Sequence, residues 1–242
     1  MVETASAPGI WSDETKQIIL AHAVLVGLTP LIPIPILDDF VKDYVERRLA
    51  GEIGRRHGHA LPEETVRILV GAEDEGLFKT IAVGIVKLPF SLVFRKLFVV
   101  LEIKRASDEA SRAFHYAYLL DYALRMRRMT PAGERTPREV RSAIVGACKE
   151  ARLSPMTTAF SAVFAGSKDL VGQLAKSFIG KLRPKSGDSI GREGVASAVE
   201  ATNEGALGPI VSRLTESMNA IPGRHFRALE ERFDSLLGVR RS

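Results

Sequence analysis

The side chains able to do chemistry are scattered along this chain, and few stand at a spacing that chemistry requires. Of the five histidines only His57 and His59 are close, flanking Gly58 beside Arg55 and Arg56. Imidazoles among guanidinium groups suit the negative end of a helix better than a metal ion, which neighbouring cations would repel. Asp38 and Asp39 are adjacent, so on a helix their carboxylates diverge by about 100° and form no acid/base dyad. They suit the positive end of a helix dipole. Alternatively, one turns inward to pair with a cation buried at Lys87 or Arg95, since a charge in apolar surroundings needs a partner. Cys148 is the only cysteine. It reads as a small core residue rather than a nucleophile, and it excludes an intramolecular disulfide, which suits a reducing compartment. Phosphate loops, dinucleotide fingerprints, nucleophile elbows, HExxH, paired CxxC and EF-hand patterns are absent. The expectation is no catalytic residue, no metal ligand and no cofactor.

A second kind of chemistry is anion binding. Arg125, Arg127, Arg128, Arg135, Arg138 and Arg141 fall within seventeen residues, with Glu134 and Glu139 interspersed. They read either as a solvated face or as a site for phosphates or lipid headgroups. A net charge of +5 and a pI near 9.4 suit an anionic partner without requiring one. Nucleic acid is disfavoured, because no recognised nucleic-acid motif appears and the nearby aromatics read as helix packing.

The elements that must position these groups read as helices throughout, with no two-residue alternation and no hairpin turn signals. Residues 18–37 form the apolar stretch around which the chain is organised. Pro30, Pro33 and Pro35 prevent it from being one helix, because each removes a backbone donor and clashes with the preceding turn. Ser12 caps a first helix that ends near Leu28, and a proline-stiffened elbow leads to a second helix near Asp38. Val41, Val45, Leu49 and Ile53 give that helix an apolar stripe, and Gly58 closes it. After a short helix opened by Pro62, residues 77–103 are again strongly apolar, with a kink expected at Pro89.

Ala106, Ala110, Ala113 and Ala117 then recur on one helix face, a spacing that lets two helices approach closely. Thr136, Pro137 and Glu139 make a capping box for the next helix, and one stripe runs from Phe160 through Leu182. The predicted organisation is a flexible tail at 1–11, a main helical domain at 12–182, a linker at 183–194 and a C-terminal helical segment at 195–242. The last helix is built on Phe226, Leu229, Phe233 and Leu236. The fold class is therefore an all-α multi-helix bundle with a Pro-kinked apolar hairpin in its N-terminal half.

Residues 27–58 resemble the core signature of bacterial EcsC and YcjF-type proteins, through Pro33, Ile34, Pro35, Asp38 and Gly58. The resemblance implies a helical, membrane-associated interaction module without a known active site, with any GTPase partner a separate protein. The leading expectation is a non-enzymatic cytoplasmic protein, peripheral on the inner membrane face, that meets anionic lipid through the elbow hairpin and the Arg clusters. The alternatives are a soluble protein-interaction or oligomerisation module, and a lipid-ligand carrier or enzyme with a cavity between its helices.

Overall fold

The computed structural model describes residues 12–31, 37–71, 98–129, 135–150, 155–182, 192–203 and 206–239. Among these the chain is all-α, with ten α-helices, one 3-10 turn and no strand. Pro33, Pro35, Lys87, Arg95, most of the apolar stretch 77–103 and most of the expected linker lie outside the described residues.

The first helix, α1 (Asp13–Leu28), starts where the Ser12 hydroxyl accepts from the Thr15 amide at 3.2 Å. Asp13 and Glu14 lie in its first turn, where the dipole favours them. Ile19, Leu20 and the run from Ala23 to Leu28 are all buried, so the C-terminal half of α1 is surrounded by protein on every side. It ends because Pro30 has no amide to give the Val26 carbonyl. Thr29 serves that carbonyl instead, through its amide and through its buried hydroxyl at 2.8 Å, and the chain tightens into a 3-10 turn at Thr29–Leu31.

The next helix, α2 (Leu37–Arg56), buries Val41, Val45, Leu49 and Ile53, and the chain turns at Gly58 with φ +73°. A short helix, α3 (Glu63–Val70), buries Val66 and Leu69 and is closed by Gly71 with φ +84°.

The hub is α4 (Phe98–Arg125). It packs most extensively on α1, and also on α2. Ala106, Ala110, Ala113 and Ala117 are buried. A Cβ on Gly27 of α1 would lie 2.8 Å from the Ala106 carbonyl oxygen and 2.9 Å from the Ala110 Cβ. The two backbones are thus as close as a glycine facing alanines allows. The helix ends at Arg125, and Arg127 takes the left-handed conformation with φ 53°.

Beyond it, α5 (Pro137–Glu150) opens on the reciprocal bonds expected of Thr136 and Glu139. The single stripe read from Phe160 to Leu182 is divided between α6 (Pro155–Gly166) and α7 (Lys168–Leu182). The break falls at Gly166 and the buried Ser167, whose hydroxyl accepts from Arg213 at 2.5 Å. That bond and the low helix propensity of glycine explain the turn.

The C-terminal elements are α8 (Arg192–Asn203), α9 (Gly208–Asn219) and α10 (Gly223–Leu236). They return onto the body: α8 packs on α7 and α2, α9 on α6 and α1, and α10 on α5 and α4. In α10 the buried face is Phe226, Leu229 and Phe233, but Leu236 is 42% exposed and Leu237 is buried in its place. The helix stops there, and Gly238 with φ +68° re-aims the chain. No described helix is long and apolar enough to cross a membrane.

Candidate functional site

One face of α4 carries Asp108, Ser111, Arg112 and His115, spaced three and four residues apart so that they share a side of the helix. That side, with Val145, Cys148 and Lys149 of α5 and Thr157 of α6, lines a cleft of about 660 Å³. Its floor is hydrogen-bonded. The Thr157 hydroxyl donates to the Ser111 hydroxyl at 2.8 Å, and His115 Nδ1 donates to the Ser111 carbonyl at 2.6 Å. With Nδ1 so committed, His115 presents the lone pair of Nε2, and His225 Nε2 of α10 lies 3.1 Å from it. Burial pushes His115 down to about 4, opposed by its bond to the Ser111 carbonyl, and burial likewise lowers His225.

The remaining reactive groups of the cleft are quiet. Burial pushes the Cys148 thiol up to about 12, so it stays protonated at neutral pH. Tyr116 is raised as well, chiefly by burial, and its hydroxyl is spent on the Leu69 carbonyl. Glu109 accepts from Lys42 at 2.7 Å and from the cleft's Arg112 at 2.9 Å, one carboxylate shared by two cations. Near them burial pushes Glu46 up to about 7, against the opposing pull of Lys42.

A second polar cluster lies where the C-terminal half of α4 meets α10 and the end of α2. Tyr118 donates to Glu230 at 2.7 Å and Tyr122 to Asp234 at 2.9 Å. Arg128 reaches both oxygens of Asp234, at 3.2 and 3.3 Å, and His57 donates to Asp121 at 2.8 Å. Asp121 and Asp234 are buried, so these bonds fix the packing of α10 on α4.

This cluster also takes up part of the predicted arginine site. Arg125 lies 3.8 Å from Asp121 and 3.6 Å from Glu230, with its guanidinium 5.5 Å from the centre of the Tyr122 ring. Arg135 is 3.9 Å from Glu139, and the Arg141 guanidinium lies over Gly71. Arg127 and Arg138 are exposed. The six are thus divided among different partners and surfaces rather than gathered round one ligand. Of the elbow residues, Pro30 lies in the 3-10 turn and Asp39 is exposed; the Asp38 side chain and the cations at Lys87 and Arg95 are outside the described residues.

His57 does lie just past a helix end, but its ring pairs with Asp121 and not with the helix itself. Cys148, read from sequence as core, is half-buried and lines the cleft. Sequence reasoning missed the convergence of His115 with His225, and of Tyr118, Asp121 and Tyr122 with α10. The available signal was the polar series 108, 111, 112 and 115 running beside the alanine stripe. Among the described residues no group of three or more His, Cys, Asp or Glu is placed to hold a metal ion. The chain matches no protein-family model, no curated protein and no solved structure.

Proposed function

We propose that this protein binds a small anionic molecule, a carboxylate or phosphate ester, in the cleft between α4, α5 and α6. The carrying observation is the cleft itself: about 660 Å³, lined by an imidazole, three hydroxyls, a thiol and the cations Arg112 and Lys149. That volume lies in the range of small-molecule sites. In the lining two cations, Arg112 and Lys149, stand against one carboxylate, Asp108, which favours an anion. The thiol is held protonated, so it serves as a contact rather than a nucleophile.

Calorimetric titration with inorganic phosphate, pyrophosphate and small dicarboxylates tests this. Arg112→Ala with Lys149→Ala should weaken whichever binds by about tenfold or more, as expected for lost charge-assisted bonds. Val145→Trp, which fills the cleft, should abolish it. A wild-type chain that binds none of them, or a filled cleft that binds as well as before, would overturn the reading.

The net charge of +5 and the exposed Arg127 and Arg138 support a second reading, attachment to an anionic membrane face. Among the described residues the large apolar side chains left exposed are Met126 and Leu236, so this reading rests on charge. Co-sedimentation with anionic liposomes should then fall steeply with salt and with Arg127→Ala plus Arg138→Ala. Sedimentation indifferent to both would remove it.

A further inference from the structure

A second cleft, of about 480 Å³, lies along α2 and α3 and shares no residue with the one between α4, α5 and α6. Phe40, Tyr44, Arg47, Arg48, Gly51 and Arg55 follow one another at helical steps of three and four, so they share one face of α2. All but the glycine line the cleft, and Val66 of α3 adds an apolar contact. The rings come first along this face and the guanidinium groups follow. Tyr44 and Arg48 are four residues apart, which is about 6 Å along the helix axis. Arg55 runs back toward the same level, as helical side chains do: a Cβ on Gly51 would stand 3.8 Å from one of its terminal nitrogens. We propose that this cleft binds a small aromatic phosphate of nucleoside monophosphate size, with its ring against Phe40 and Tyr44 and its phosphate against Arg48 and Arg55.

The competing account is that these are surface arginines matched by their own carboxylates. It covers part of the cluster. Arg47 lies 2.9 Å from Asp43, and Arg48 donates to Glu200 of α8 at 3.0 Å. Glu63, which also lines the cleft, sits in the first turn of α3, where the helix dipole favours it. Two donors are left over. Arg55 is exposed and meets no carboxylate among the described residues. Arg48 is hydrogen-bonded to Tyr44 and to Glu200, yet its Nε is buried with no acceptor among the described residues. A buried donor without an acceptor carries a cost that a ligand oxygen would remove. Glu200 is 60% exposed, so its bridge to Arg48 is weakened by solvent and is readily exchanged for a phosphate. The planar guanidinium fork pairs with phosphate through two parallel bonds, and a ring stacked beside it gains from the cation as well. The volume lies in the range of small-molecule sites. This proposal stands independently of the anion site between α4, α5 and α6.

Calorimetric titration of the full-length protein with phenyl phosphate, adenosine monophosphate, inorganic phosphate and adenosine tests it. At least one aromatic phosphate should bind about tenfold or more tighter than inorganic phosphate and adenosine, because it alone engages both ends of the cleft. Arg55→Gln removes a side chain without a carboxylate partner, so it should fold like the wild type and bind about tenfold more weakly. Arg48→Lys keeps the charge and loses the fork, and should weaken binding too. Tyr44→Leu should cost about fivefold or more for the aromatic phosphate and leave inorganic phosphate unaffected. The variant Arg112→Ala with Lys149→Ala, which disables the other cleft, assigns the binding to one site or the other and should retain it. Lys181→Gln, an exposed change on α7, controls for net charge and should change nothing. The proposal is overturned if no aromatic phosphate binds, or if inorganic phosphate binds as tightly as the aromatic ones. It is overturned equally if Arg55→Gln or Tyr44→Leu retains wild-type affinity, or if Arg112→Ala with Lys149→Ala removes the binding.

Discussion

Adding a single methyl group at Gly27 should drive α1 and α4 apart. A Cβ there would stand 2.8 Å from the Ala106 carbonyl oxygen, 2.9 Å from the Ala110 Cβ and 3.3 Å from a ring carbon of Phe164. The first two neighbours cannot rotate away, because one is backbone and the other is fixed to it. Relief therefore requires a shift of one whole helix against another through a buried core. Overpacking of this kind costs about 1–3 kcal/mol. Against it, alanine is worth up to about 1 kcal/mol more than glycine within a helix. The net expectation for Gly27→Ala is a loss of about 1–2 kcal/mol. For a chain of this size that lowers the melting temperature by roughly 2–8 °C. Gly172 of α7 supplies the matched control, since a Cβ there meets nothing within 4 Å. Gly172→Ala should stabilise by a few tenths to about 1 kcal/mol through helix propensity alone. Ala110→Leu attacks the same contact from the α4 side and should cost at least as much as Gly27→Ala. Because the two changes share one contact, their effects should not add. Urea unfolding and calorimetry on these variants read out the sign directly. A Gly27→Ala chain as stable as the wild type would mean that α1 and α4 do not meet at this residue, and the argument for a close-packed alanine face would fail.

Asp234 is buried and accepts from both Tyr122 and Arg128, so Asp234→Ala should cost about 2–4 kcal/mol, visible as an earlier urea midpoint; a change below about 0.5 kcal/mol would deny the network a structural role. Glu46 should make stability depend on pH. Its folded value, about 7, lies above the ordinary 4.5, so the folded chain holds that proton more tightly than the unfolded one. This contribution is fully present below pH 4.5 and is lost as pH rises through 7. Glu46→Gln should therefore match the wild type in acid and exceed it at pH values above 7 by of order 1–3 kcal/mol; unfolding curves that stay superimposed at every pH would refute the assignment. Arg127 is exposed and holds φ 53°, so Arg127→Gly should relieve left-handed strain worth about 1–2 kcal/mol, less the entropy that glycine adds to the unfolded chain, for a net gain near 0.5–1 kcal/mol. A destabilised Arg127→Gly would show that the arginine makes a compensating contact there.

The local features written in short-range pattern were legible in the sequence. Ser12 caps α1, Pro30 ends it, Thr136 and Glu139 close on each other, and the Val41 to Ile53 stripe is buried. Each of these depends on residues within a few positions, where geometry is set by the helix itself. The division of residues 155–182 at Ser167 was not legible. It depends on Arg213, which lies 46 residues further on. The arginine run was visible as charge, but its pairing was not, because Asp121, Glu230 and Asp234 are brought to it by the docking of α10 on α4. For the same reason His115 and His225, 110 residues apart, looked like two of five unrelated histidines.

The apolar stretch that dominates the N-terminal sequence shows why composition alone could not choose between lipid and protein surroundings. Helix α1 is apolar on nearly every face, a pattern that suits a helix in hydrocarbon and a helix at the centre of a bundle equally well. Its side chains from Ala23 to Leu28 are no more than 1% exposed, and helices α2, α4 and α9 enclose them. The apolarity of 18–28 is therefore spent on the core and carries no argument for a membrane. This burial also explains why the chemistry lies where it does. With one face of α4 occupied by α1, its polar residues are confined to the two remaining sides. Ser111 and His115 lie on the side that meets α6 and α10, and Asp121 and Tyr122 on the side that meets α2 and α10. A helix whose alanines are committed to one neighbour displays its reactive groups toward the others. In this chain that places His115 in the cleft, bonded to His225, and a carboxylate–tyrosine network in the C-terminal half of α4.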